Sequence, residues 1–273
     1  MGVPYAEVIG DPIAYSKSPA IHRFWLEKLR IDGDYRAVRV IAEELPAYLT
    51  ARRSDPDWRG CSVTMPHKQT IVALLDQADD PAVNLVARDG GALVGFNSDG
   101  DGVDEVIEHW GCRPEGARVC ILGAGGAAWA AVEALDLLCY GDIDMIVRDR
   151  AKGEAFLEKC QLNGRVFALE DAEEAMAGAY AVINASPLGM IGLPVMPETV
   201  LRGLAAMRGD GYAFDMVTAP VQTPFLECAR SAGLWVADGL VMLIGQARAA
   251  FHAFFDKVPP SELDRELRRR LKP

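Results

Sequence analysis

No stretch of this 273-residue chain approaches the roughly 20 consecutive apolar residues that a membrane-spanning helix needs. The opening residues, Met1 to Asp11, lack the basic region and apolar core of a signal peptide. Both absences point to a cytoplasmic protein without a membrane partner. Positive charge is also short: 28 Lys and Arg stand against 39 Asp and Glu, a net charge of −11. That balance argues against a general binder of nucleic acid or of membrane surfaces, which need basic patches. It leaves room for an anionic small molecule, which needs only a local cluster of donors. The six cysteines, Cys61, Cys112, Cys120, Cys139, Cys160 and Cys228, include no Cys-x-x-Cys pair. Neither a zinc site nor a disulfide framework is expected. The four histidines, His22, His67, His109 and His252, have no metal-ligand spacing, so no metal is expected. Repeats and low-complexity segments are missing too. What is present, 50% hydrophobic and 25% charged residues, is ordinary for a globular protein of one large or two moderate domains.

The most informative stretch is Arg118 to Trp129. Arg118 to Leu122 reads as a buried parallel strand. It runs into Gly123-Ala124-Gly125-Gly126-Ala127-Ala128, and Ala130 to Leu138 then reads as a helix. This is the dinucleotide fingerprint, with Ala128 at the third small position. Gly123 permits the tight turn, Gly125 lets the backbone approach a pyrophosphate, and the helix amino terminus offers free N–H groups and partial positive charge. The next strand, Ile143 to Val147, ends at Arg148-Asp149-Arg150, the ribose-reading position. An acid there accepts from a 2′-hydroxyl and repels a 2′-phosphate, whereas arginine does the reverse. Two arginines against one acid favour NADP over NAD.

Ahead of this stretch, Tyr5 to Gly10, Asp34 to Val40 and Arg59 to Met65 read as strands, with helices to Leu29 and over Ala42 to Arg53. Ser18-Pro19 has the form of an N-cap with proline at the first helical position, and Ser16 adds a second hydroxyl to the same loop. Hydroxyls and a helix amino terminus beside a strand's carboxyl end suit a carboxylate. Pro66 takes the chain out of the sheet and leaves Thr64 and Lys68 at a loop, with a helix expected over Gln69 to Gln77. Asn84 to Arg88 and Ala92 to Phe96 read as a hairpin. Asn97 to Gly102, polar and rich in glycine, reads as a connector, and Val103 to His109 as a helix. Strands ending at Leu169, Ile183, Met216 and Val236 alternate with helices thereafter. A long apolar helix, Gly239 to Phe255, and a charged one, Ser261 to Leu271, close the chain. The alternation predicts α/β organisation in two domains.

Six stretches together resemble the shikimate dehydrogenase family, which includes shikimate and quinate dehydrogenases. They are Asp11 to Pro19, Val63-Thr-Met-Pro-His-Lys68, Asn97-Ser-Asp99, Gly123 to Ala127, Asn184-Ala-Ser-Pro-Leu-Gly-Met190 and Gly239 to Gln246, in family order. The resemblance implies a substrate-binding domain over residues 1–102, onto which helices 239–273 pack back, and a doubly wound Rossmann NAD(P)-binding domain over 103–238. The active site would lie in the cleft between them. Lys68 and Asp99 match the family's catalytic pair. Ser16 and Ser18 match the serines that hold the substrate carboxylate, and Thr64, Asn84 and Gln246 match contacts to the ring hydroxyls. Gly123, Ala124, Gly125, Gly126, Ala127, Arg148, Asp149, Arg150, Asn184, Ser186, Met190 and Gly239 match the cofactor site.

Ser62 occupies a substrate-contacting position where the family usually has Asn. Histidine is more usual at Tyr15, threonine at Leu85 and Ser98, and tyrosine at Val217. Several residues before Val83 are missing. The resemblance implies NADP-dependent, reversible reduction of 3-dehydroshikimate to shikimate, in aromatic amino-acid biosynthesis, by a monomer or homodimer. Two other readings remain: an NAD-linked quinate/shikimate-type paralogue, and a non-catalytic sensor of a shikimate-like acid. Retention of both Lys68 and Asp99 disfavours the sensor, because binding alone needs no proton-transfer pair.

Overall fold

Each half of the chain is built around a six-stranded sheet. The computed structural model describes residues 2–78, 80–107, 117–137 and 142–271; His109, Cys112, Leu138 and Cys139, named above, lie outside the described residues. Cα proximity divides the chain into one unit of Met1–Asp99 with Ile244–Pro273 and a second of Gly100–Leu243. The boundaries fall near 102 and 238 but inside helices, because Asp99–Ile107 and Gly239–Phe255 each carry the chain from one unit to the other.

In the first unit the strands are β1 (Tyr5–Gly10), β2 (Asp34–Arg39), β3 (Trp58–Val63), β4 (Gln77–Ala78), β5 (Leu85–Asp89) and β6 (Ala92–Phe96), in spatial order β2-β1-β3-β5-β6-β4. β1 pairs in parallel with β2 and β3, whereas the β5–β6 hairpin is antiparallel and β3 pairs antiparallel with β5. The sheet is therefore mixed. Helices α1 (Ser18–Leu29) and α2 (Leu45–Arg53) supply the crossovers between the parallel strands. Ile21, His22, Trp25 and Leu26 form the buried stripe of α1. From α9 (Gly239–Phe255), Ala250 and Phe254 pack with Ala6, Val8, Tyr35 and Leu85.

Two local expectations are corrected here. Gln69 to Gln77 is not an α-helix: a 3₁₀ turn over Val72–Leu74 leads into β4, which pairs with β6. The Lys68 carbonyl, which a helix would use, accepts from Val83 N at 2.7 Å. The β-branched Thr70, Ile71 and Val72 also favour a helix little. The polar connector Asn97 to Gly102 is in turn largely helical, since α3 (Asp99–Ile107) begins at Asp99, where the Asn97 carboxamide oxygen accepts from the Asp99 N–H at 3.1 Å.

His22 is fully buried, stacks on Tyr35 with ring centroids 3.8 Å apart, and neither ring nitrogen has a hydrogen-bond partner among the described residues. Burial pushes its pKa from 6.5 down to about 3. The unfolded chain then binds a proton below about pH 6.5 that the folded chain refuses, so this contribution to stability is full above that pH and is lost as pH falls toward 3. In denaturant titrations, His22→Phe is expected to lose about 2 kcal/mol less stability than the wild type between pH 7 and pH 5. Equal losses would contradict a buried neutral imidazole.

The second unit holds β7 (Val119–Leu122), β8 (Ile143–Val147), β9 (Val166–Ala168), β10 (Ala181–Asn184), β11 (Tyr212–Asp215) and β12 (Trp235–Asp238), all parallel, in order β12-β11-β10-β7-β8-β9. This is the doubly wound arrangement, and its strand order reverses between β7 and β10. Helices α4 (Gly126–Leu137), α5 (Arg150–Cys160), α6 (Ala172–Met176), α7 (Glu198–Gly203) and α8 (Pro224–Ser231) cover it. Its central strands β7, β8 and β10 are buried throughout, as parallel strands between helical layers must be. The chain ends in α10 (Asp264–Leu271), in the first unit. Among the described residues no helix is long and apolar enough to cross a membrane, and no group of three or more His, Cys, Asp or Glu could hold a metal ion.

Candidate active site

In the first unit the loop after β3 is pinned at several points. His67 N donates to Thr64 O at 3.0 Å, Ile71 N to His67 O at 2.9 Å, and the buried His67 ring meets Val40 O at 2.7 Å. Lys68, between these anchors, is an ion pair with Asp99 through its Nζ and the Asp99 Oδ2. The other carboxylate oxygen accepts from Asn84 Nδ2 at 2.7 Å. The Asn84 carboxamide oxygen accepts from Ser98 N at 2.8 Å and Ser98 Oγ at 3.2 Å. This network leaves the Asn84 amide one orientation, with nitrogen toward Asp99 and oxygen toward Ser98. Ser98 Oγ also lies 3.3 Å from the backbone oxygen of Gln246, which ties α9 to the start of α3.

The hydroxyls stand close by in the chain. Ser16 Oγ accepts from Ser18 N at 3.3 Å. Ser18 is therefore the first helical residue, not the cap; a hydroxyl two residues earlier satisfies a helix N–H in its place. Among the described residues the hydroxyls of Ser18 and Thr64 have no hydrogen-bond partner. Ser62 Oγ accepts from the Tyr35 phenol at 2.7 Å. The structure thus joins Lys68, Asp99 and Asn84 directly and Gln246 through its backbone, while Ser16 and Ser18 form a separate pair at the head of α1.

In the second unit Gly123 lies at φ 100°, and a Cβ there would meet Ala185 O at 3.1 Å and Ser186 Cβ at 3.2 Å. The fingerprint turn thus packs against the loop after β10, across the point where the strand order reverses. A Cβ at Gly125 or Gly126 meets no atom within 4 Å, which leaves an open cradle at the amino end of the 12-residue α4. Ala128 is fully buried against the sheet, as the third small position requires. Such an opening, rimmed by backbone N–H groups, fits a pyrophosphate. Ala124 and Ala127 pack on the core of the unit.

The remaining cofactor candidates divide. Arg148 is exposed, with no hydrogen bond or ion pair to another described residue. Asp149 caps α5 by accepting from Lys152 N at 3.3 Å, and Arg150 turns to Val166 O and Asp171. Asn184 is fully buried: its nitrogen donates to Leu188 O and Asp215 Oδ1, and its oxygen accepts from the N–H and hydroxyl of Ser186. It shapes the Ser186 to Met190 loop from beneath. Gly239 opens α9 where the Met216 and Val217 carbonyls leave no room for a side chain.

Sequence reading missed Tyr35, Ser98 and Asp215. Tyr35 carried a signal, a large aromatic in a strand otherwise mostly polar. Asp215 carried one as well, an acid ending an apolar strand. It is buried and accepts from Asn184, Val217 N and Thr223, yet desolvation still holds its carboxyl above the ordinary range. Ser98 stood out in the sequence only as a serine where the family more usually has threonine, because its part depends on where Asn84 and Gln246 come to lie.

A doubly wound sheet with an open glycine turn at its switch point is the architecture of nucleotide-dependent dehydrogenases. A family model described as the shikimate dehydrogenase substrate binding domain matches residues 8–88. The shikimate dehydrogenase (NADP(+)) of Sphingopyxis alaskensis is 42% identical over 97% of this chain and 96% of its own. Shikimate 5-dehydrogenase of Listeria monocytogenes, solved with shikimate and NAD, superposes with a TM-score of 0.86 at 30% identity, covering 97% of this chain and 96% of that one. The Thermus thermophilus enzyme, solved with NADP(H) and shikimate, gives 0.82 at 32% identity over 98% and 99%. The chain belongs to the shikimate dehydrogenase family.

Proposed function

We propose that this protein is an NADP-dependent shikimate dehydrogenase, interconverting 3-dehydroshikimate and shikimate in aromatic amino-acid biosynthesis. The observation that carries the reading is the Lys68–Asp99 pair, with Asn84 on the second carboxylate oxygen, in a member of this family. In this reading residues 1–102 with 239–273 bind substrate, and residues 103–238 bind the nucleotide. Working in the cytoplasm as a monomer or homodimer, the enzyme takes a small molecule, not nucleic acid or membrane, as its partner.

For oxidation the Lys68 ammonium first yields a proton to the paired Asp99 carboxylate, which releases it to solvent, and the neutral Nζ then takes the proton from the hydroxyl being oxidised. In the reductive direction the same pair returns it. Bound NADP supplies the hydride acceptor. Ser16 and Ser18 bind the carboxylate, while Ser62, Thr64, Asn84 and Gln246 contact the ring hydroxyls. Gly123 to Ala127 cradle the pyrophosphate, Asn184, Ser186, Met190 and Gly239 shape the nicotinamide end, and Arg148 to Arg150 read the ribose.

Absorbance assays with shikimate and quinate, each with NADP and NAD, test the reading. Shikimate with NADP is expected to give the highest kcat/KM. Preference for quinate with NAD would instead favour the paralogue, and tight shikimate binding without turnover the sensor. Among the described residues Arg148 is the unpartnered cation of its triplet, since Arg150 and Asp149 are engaged within the unit. Arg148→Ala is expected to raise KM for NADP about tenfold, the worth of a charge-assisted hydrogen bond, and to leave KM for NAD near the wild-type value. Unchanged NADP affinity would remove Arg148 from the site.

A further inference from the structure

We infer that Tyr35 is a positioning residue for substrate recognition, acting through Ser62 by fixing which way the serine hydroxyl donates. The inference rests on the functional reading above and adds to it a residue outside the matched motifs.

The Tyr35 side chain is fully buried, and its phenol is 2.7 Å from Ser62 Oγ. No other described residue accepts from that phenol, so a Ser62-to-Tyr35 bond would leave the tyrosine proton buried without a partner, the costly arrangement. Tyr35 therefore donates. Burial also raises its pKa well above the ordinary phenol value, so it stays a donor across the working range. Ser62 Oγ accepts this bond, and its own proton has no acceptor among the described residues. Across the strand pair Ser62 faces Leu85, which offers no polar atom, and along β1 it faces Val8. The serine proton is thus left for a ligand. A free hydroxyl rotates, whereas one lone pair held by Tyr35 narrows its direction, and donation into the oxygen strengthens the bond it gives in turn. An asparagine at this position carries a planar amide and needs no such partner. The Tyr35 ring is held by its stack on His22 at 3.8 Å and 7°.

Steady-state kinetics with shikimate at saturating NADP, on wild type, Tyr35→Phe, Ser62→Ala and the double variant, test this. Tyr35→Phe keeps the ring and its stack, and is expected to raise the shikimate KM roughly two- to tenfold, the range of one lost neutral hydrogen bond, with a smaller change in kcat. The double variant is expected to match Ser62→Ala alone, because the tyrosine acts only through the serine. Ser62→Asn placed in the Tyr35→Phe chain is expected to bring KM back toward wild type, which a purely structural role for the phenol would not allow. Effects that multiply in the double variant, or an unchanged KM in Tyr35→Phe, overturn the role while leaving the enzyme a shikimate dehydrogenase. A wild-type chain that leaves shikimate unturned overturns the functional reading, and this role with it.

Discussion

Lys68→Ala is expected to lower kcat for shikimate oxidation by about 10²–10⁴-fold, the usual worth of a positioned acid–base group. NADP affinity should stay near wild type, because Lys68 and the glycine turn belong to different compact units. Stability should change little, since the lysine side chain is 30% exposed and Asp99 keeps its hydrogen bond from Asn84. Asp99→Asn should also slow turnover, and the double variant should lose less than the product of the single losses, as residues acting as a unit do. Turnover by Lys68→Ala at the wild-type rate would end the mechanistic assignment. Losses that multiply would show two independent contributions.

Gly60→Ala is expected to destabilise the protein by about 2–3 kcal/mol, the upper range for an overpacked core site. A Cβ at Gly60 would lie 2.2 Å from the backbone oxygen of Val86 and 2.6 Å from Phe254 Cε1. The Phe254 ring can turn, but the Val86 carbonyl belongs to β5 and cannot move without disturbing the sheet. The pairing of β3 with β1 slips at this place: Tyr5 faces Trp58 and Ala6 faces Gly60, so Arg59 is an extra residue in the strand. That bulge sets the facing of Cys61 and Ser62. Urea unfolding reads the stability change, and a loss under about 0.5 kcal/mol, typical of surface sites, would show that β3 yields. A shikimate KM rising with the instability would tie the bulge to Ser62.

Particular residues show where sequence reasoning reached and where it stopped. The turn from Gly123 to Ala128 was legible because strand, glycines and helix are contiguous, and each small residue answers a local demand of backbone geometry. Ser18 was placed one step off, since Ser16 accepts the helix N–H; sequence places a helix end only to within one or two residues. Gln69 to Gln77 failed as a helix because carbonyls and strand edges it would have needed are taken by Val83 and β6, partners distant in sequence.

The alternation of strands and helices, the fingerprint, the hairpin and the residue types able to move a proton were legible along the chain. These follow from periodicity, glycine and proline placement and functional groups, all properties of neighbours along the chain. Folding alone settles that Asn84 steadies the Asp99 carboxylate, that Ser98 joins Asn84 to Gln246, that Asn184 is spent on the Asp215 network and that Tyr35 reaches Ser62. Each of these is a hydrogen bond between residues far apart in the chain or between side chains whose rotamers the core fixes. Such a bond exists only once packing has brought donor and acceptor within about 3 Å and closed off the water that would otherwise compete.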